Sequence, residues 1–158
     1  MLQGDVSKEG KNHYLFDRFK SFNMDANYLE SAIKQFEYYK LLGEKAMEQL
    51  PEKALFWQYN RESNSIAIII NHLWGNMLSR WTDFLHSDGE KDWRNRDLEF
   101  ENATEQREAL QKKWKEGWDC LFTALHTLTA ADLTRIIYIR NQGHTVTEAI
   151  NRQLAHYA

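Results

Sequence analysis

The stretch LQKKWKEGWDCLFTALHTL, residues 110–128, sets Leu110, Trp114, Gly117, Leu121, Leu125 and Leu128 at heptad-like intervals. Steps of three and four residues return a side chain to the same face of a helix, so these residues form one buried stripe. The charged residues between them read as a solvated helix surface. Just upstream, Asn102 and Glu105 have the spacing of a capping box, in which each side chain satisfies the other's free backbone donor.

The same grammar recurs on either side. Asn27 with Glu30 repeats the box spacing, and Leu29, Ile33, Phe36, Gly43, Met47 and Leu50 follow as a stripe, which predicts a first helix from Asn27 to about Pro51. Gly43 on that stripe points to close helix approach rather than a break. A second helix is predicted after Ser63 or Asn64, with Ile66, Ile69, Leu73, Met77 and Phe84 on its inner face. It should end near His86, where Ser87-Asp88-Gly89 signals a turn. A last helix starts near Thr145, whose partner Glu148 fits another capping box, and it buries Val146, Ala149, Ile150, Gln153, Leu154 and Tyr157. The sequence stops at Ala158, inside that helix, so a shortened fourth helix is expected to leave apolar surface uncovered and to favour association.

Between the second and third helices, Glu90 to Phe100 is charged and reads as a surface crossover that drops Trp93 onto the bundle as an aromatic anchor. Thr134 to Arg140 places Ile136, Ile137 and Ile139 around Tyr138, ahead of a turn at Asn141-Gln142-Gly143, which predicts a short strand or extended hairpin. Residues 1–26 read as an N-terminal extension of low order. The fold expected for residues 27–158 is an all-α four-helix bundle, with a long link between the second and third helices and a short extended hairpin before a truncated fourth.

Composition narrows the function. The 158 residues suffice for one domain, and 42% hydrophobic with 27% charged residues is ordinary globular composition. A net charge of −3, with Lys and Arg scattered among Asp and Glu, argues against nucleic-acid binding by phosphate neutralisation. Single Cys120 excludes an intramolecular disulfide, which suits a reducing cytoplasm. No apolar run approaches the roughly 18 residues of a membrane span, and Met1 to Asn12 lacks a secretory core. The six Trp residues read as core packing rather than as base-stacking platforms.

The candidate chemistry lies in two histidines. His72 borders the inner stripe of the second helix, and His156 lies on or near that of the fourth. Imidazoles projected inward from different helices are a usual way to hold a metal in a bundle core, and their nitrogen suits zinc, nickel, copper or iron. The competing reading is a pair of packed, hydrogen-bonded core histidines, and no HExxH, CxxC or EF-hand spacing decides between them. His144 reads as solvent-facing, His126 and His86 as residues near helix ends, and His13 as part of the extension. Cys120 has no adjacent His or Lys to activate it and reads as an inert thiol.

Three blocks carry a resemblance: Phe56-Trp57-Gln58-Tyr59-Asn60 with Ser63 to Ala67 and Asn71-His72-Leu73; Asn76 to Phe84 followed by Ser87 to Lys91 and Trp93 to Asp97; and Ala149 to Tyr157. Over Asn27 to Ala158 the chain resembles a subfamily of unknown function in the DinB/YfiT-like superfamily of putative metalloenzymes. That resemblance implies a four-helix bundle and a divalent metal, zinc or nickel, whose ligands include His72 and His156. The third His of the superfamily's set would fall four residues past His156, beyond Ala158. Relatives imply a thiol S-transferase acting on small electrophiles, with a low-molecular-weight thiol as substrate and dimers common. The alternative is a non-catalytic helical binding or stress-response scaffold with no functional metal site.

Overall fold

The computed structural model describes the backbone of residues 9–101 and 106–158, and side chains from Asn27 onward. Among these residues the protein is mostly helical: α1 (Glu9–Glu48), α2 (Glu52–Leu55), α3 (Ile66–Trp81), α4 (Arg107–Thr127) and α5 (Val146–Tyr157). A two-stranded antiparallel sheet, β1 (Ile136–Ile139) and β2 (Gln142–Thr145), precedes α5. No helix among the described residues is long and apolar enough to cross a membrane.

The stripe of residues 110–128 is buried along its whole length, and α3 packs on it. Gly117 permits that approach, because a Cβ there would lie 3.0 Å from Met77 Sδ and 3.3 Å from the backbone of Trp74. Gly43 of α1 does the same for Trp114, whose ring edge would stand 2.5 Å from an added Cβ. At the centre sits Phe36, fully buried, with Trp81, Trp118 and Tyr157 at ring-centroid distances of 6.3, 6.4 and 5.9 Å. These four rings come from α1, α3, α4 and α5, so one aromatic cluster joins all the long helices. Tilted and edge-on rings at such distances add about 0.5–1.5 kcal/mol per pair beyond their burial.

Several expectations are corrected. Helix α1 runs through Asn27, which is exposed in its interior. Within a helix the backbone N–H groups already bond carbonyls four residues back, so the Asn27–Glu30 spacing has no free donor to cap. Asn102 and Glu105 lie outside the described residues; α4 begins at Arg107, after Gln106. Helix α3 is capped by Ser65, whose side chain accepts from the Ile68 N–H, and it ends at Trp81 rather than near His86. Ile69 is 45% exposed, and the buried arc of α3 instead takes in Asn71, Asn76, Ser79 and Arg80. Trp93 is 60% exposed rather than buried as an anchor, and Trp57 is exposed as well.

The Thr145–Glu148 capping box forms at the start of α5 as expected. The hairpin also forms, with Ile137 and Ile139 buried and Ile136 and Tyr138 exposed, as strand alternation requires. Its turn, however, is Arg140-Asn141, with φ of 55° and 61°, while Gln142 and Gly143 belong to β2. Two successive left-handed residues suit the tight turn of a twisted hairpin, but such turns favour Asn-Gly or Asp-Gly pairs. Here Asp88 steadies the turn from 52 residues upstream. Its Oδ1 accepts the Arg140 N–H and its Oδ2 the Asn141 N–H, both at 2.8 Å. Next to it, the Gly89 N–H donates to Tyr138 O at 2.8 Å. The connection between α3 and α4 is thereby fastened to the hairpin.

Candidate functional site

His72 and His156, from α3 and α5, face each other edge to face, with ring centroids 5.3 Å apart. The structure therefore brings together the two histidines singled out by sequence. It also supplies a partner that sequence reasoning missed. His72 Nδ1 lies 2.9 Å from Glu99 Oε2, on the single 3-10 turn Asp97–Phe100. Glu99 can lie against α3 because Gly75 has no side chain; a Cβ there would fall 2.2 Å from Glu99 Oε1. Phe100 packs on the His72 ring at 4.9 Å.

Glu99 is held in turn by Arg94, whose Nε donates to Oε1 at 2.7 Å and whose Nη2 donates to Oε2 at 2.9 Å. Both side chains are deeply buried, 3% exposed for Arg94 and 7% for Glu99. Burial alone would raise the Glu99 pKa, but the hydrogen bonds from Arg94 and His72 outweigh it and hold the carboxyl below its ordinary value. Burial opposes the charge on Arg94 too, and Glu99 and Glu90 more than offset that. An ionised carboxylate only accepts. The proton between His72 and Glu99 therefore sits on Nδ1, and Nε2 is the ring nitrogen that Glu99 leaves uncommitted.

A second carboxylate ties the neighbouring arginines together. Glu90 receives Arg140 Nε at 3.1 Å, Arg80 Nη1 at 3.3 Å and Arg94 Nη1 at 3.4 Å. Arg80, with Ser79 Oγ, also donates to Gly89 O. Burial pushes the Arg80 pKa down despite Glu90. His156 is held below its ordinary value, first by burial and then by repulsion within a cluster that includes Arg80, Arg94 and Arg96. Deeper in, Tyr157 donates to Asn76 Oδ1 at 2.8 Å and receives Trp81 Nε1–H at 3.4 Å, which fixes the α5 backbone beside His156.

A family model described as "Protein of unknown function (DUF1572)" matches residues 23–158. The chain belongs to this family. No curated protein and no solved structure matches the chain.

The donor set offers two imidazoles to a divalent ion, one of them oriented by a carboxylate. Among the described residues no three His, Cys, Asp or Glu side chains converge into a metal-holding group. The other titratable candidates lie elsewhere. His144 is half-buried with Nε2 3.0 Å from Arg152 Nη1, and His126 and His86 are exposed. The His13 side chain lies outside the described residues. Cys120 is half-buried, and burial pushes its thiol pKa up. The arginines escaped sequence reading because they are dispersed along the chain from Arg80 to Arg152; the one available signal was the alternation of Arg and Glu from Glu90 to Glu99.

Proposed function

We propose that this DUF1572 protein is a divalent-metal-dependent enzyme of DinB/YfiT-like type, a four-helix bundle in which His72 and His156 hold a zinc or nickel ion. The observation that carries this reading is the Arg94–Glu99–His72 chain. Metal-ligating imidazoles typically donate their other N–H to a carboxylate that fixes tautomer and orientation. Glu99 stands in that relation to His72, and His156 faces the same ring.

The reaction proposed is transfer of a low-molecular-weight thiol to a small electrophile. A bound divalent ion supplies Lewis acidity that lowers a thiol's pKa. The chain's own residues do the positioning: Glu99 keeps the proton on Nδ1, Arg94 keeps Glu99 ionised, and Phe100 shields one face of the His72 ring. Cys120 has no part in it. Exposed Tyr38, Leu41 and Leu42 on α1, with Ile69 on α3, support a homodimer. A cytoplasmic setting, without nucleic-acid or membrane partners, completes the proposal.

One observation favours a second reading. The lack of a three-residue metal group among the described residues suits a non-catalytic binding or stress-response scaffold, in which His72 is a packed core residue. Metal analysis of the purified protein separates the two. The enzyme reading expects stoichiometric divalent metal, with affinity lowered at least about tenfold in His72→Ala and in His156→Ala. Metal-free protein after incubation with zinc and nickel, or full retention in His72→Ala, would establish the scaffold instead.

A further inference from the structure

A cavity of about 220 Å³ opens beside the two histidines, and five guanidiniums line it: Arg80, Arg94, Arg96, Arg140 and Arg152. They arrive from α3, the α3–α4 connection, the hairpin turn and α5. Among the described residues, no carboxylate lines the cavity. Glu90 and Glu99 counter Arg80, Arg94 and Arg140 from outside its wall, so among the described residues two carboxylates face five cations. The guanidiniums of Arg96 and Arg152 have no carboxylate partner among the described residues. Arg80 and the Arg94 side chain form the nearly buried floor of the set, and Arg96, Arg140 and Arg152 its solvent-exposed rim.

Two further observations point to a missing partner. Arg80 and Gln153 line the cavity and are 8% and 6% exposed, yet Arg80 Nε and Gln153 Oε1 have no hydrogen-bond partner among the described residues. Buried polar atoms are almost always satisfied, and an amide can present either end to a ligand. Arg140, moreover, occupies a left-handed turn position that Asn, Asp or Gly would fill with less strain. That choice of residue has a purpose if the guanidinium is needed in the cavity.

We propose that this cavity receives the oxyanion group, carboxylate or phosphate, of a small molecule. Guanidinium forks match such groups with paired, charge-assisted hydrogen bonds, which ammonium groups cannot do. The volume falls below the 300–1,000 Å³ typical of whole-ligand pockets, so it holds the anionic end of a ligand and leaves the remainder toward His72 and His156. The anion site needs no metal, and it stands or falls separately from the metalloenzyme reading.

The test is calorimetric titration of the full chain with inorganic phosphate and, in a second arm, with malate, in a low-salt amine buffer. Metal is first stripped on a chelating resin, because a soluble polycarboxylate chelator would compete. Saturable one-site binding is expected, and the tighter arm assigns the group as phosphate or carboxylate. Arg96→Gln and Arg152→Gln should each weaken it roughly tenfold or more, as expected for one charge-assisted hydrogen bond, while Lys115→Gln on the exposed face of α4 leaves it unchanged. Neither arginine carries an ion pair among the described residues, and unchanged circular dichroism and melting in both variants would show that folding is intact. Absence of saturable binding in both arms overturns the proposal, as does equal binding by the double variant. Binding of a single-stranded oligonucleotide without binding of either small anion also overturns it. A stripped protein that binds phosphate but never takes up stoichiometric metal would sink only the metalloenzyme reading.

Discussion

Two regions of this molecule are built on opposite principles. The cluster around Phe36 is held by shape: four aromatic rings from four helices, with glycines where backbones must approach. The region from Asp88 to Phe100, with the hairpin turn and the polar side of α3, is held by charge. There Asp88, Glu90 and Glu99 fasten backbone amides, three arginines and one histidine. Apolar burial is non-directional and tolerates small shifts, whereas charge-assisted hydrogen bonds fix angles. The first region supplies cohesion, and the second holds His72 and the arginines in one arrangement.

The largest effect expected is that of Phe36→Ala, a loss of about 3–5 kcal/mol. Because that ring touches three other helices, fluorescence, circular dichroism and hydrogen exchange should report one shared loss. Glu99→Gln removes the countercharge from a nearly buried Arg94 and should cost about 2–3 kcal/mol. Its signature is local, with faster amide exchange over residues 90–100 and little change in α4. Equal acceleration in α4 would erase the contrast between the regions. Gly75→Ala drives a methyl into Glu99 and should cost about 1–2 kcal/mol. The His72 Nδ1–H resonance should move or vanish in that variant, and an unperturbed resonance would show that Glu99 has room to spare.

The smallest effect concerns acid. Burial works to raise the Asp88 pKa, but the N–H groups of Asn141, Glu90 and Arg140 outweigh it and hold the carboxyl below its ordinary value. A depressed folded-state pKa means that this contribution is fully present above the unfolded value of about 3.9 and is lost as pH falls through the folded one. The Arg140 and Asn141 amide resonances should therefore shift together only below about pH 3.9. Asp88→Asn should abolish that titration at a cost of about 1 kcal/mol. A midpoint at or above the ordinary carboxylate value would show that the Asp88 grip on the turn is weak.

The apolar region was the legible one. The stripe from Leu110 to Leu128, the Thr145–Glu148 cap and the inner face of α5 follow from spacing, because periodicity reports burial against apolar neighbours. Where neighbours are polar, the signal fails. Asn76 and Arg80 are tolerated in the interior because Tyr157 bonds the one and Gly89 and Glu90 bond Nη1 of the other, and hydrophobicity along α3 cannot register this. Ile69 drew the stripe toward solvent for the same reason. The hairpin was legible, but its turn was misplaced, since the residue that steadies Arg140-Asn141 lies 52 positions away. Of the site, sequence offered His72 and His156; Glu99 and the arginines come into proximity only through folding.

The aromatic cluster has a consequence for the order of events during synthesis. Phe36 emerges early, but Tyr157, one of its three ring partners, belongs to α5. Tyr28 similarly waits for Asn151, 123 residues later, to receive its hydroxyl proton at 2.8 Å. At translation rates of roughly 5–20 residues per second, the apolar faces of α1, α3 and α4 remain incompletely covered for several seconds on the ribosome. Until α5 arrives, Phe36 lacks one of its three ring partners, and the apolar faces of α1, α3 and α4 present a transient surface open to self-association or to chaperones.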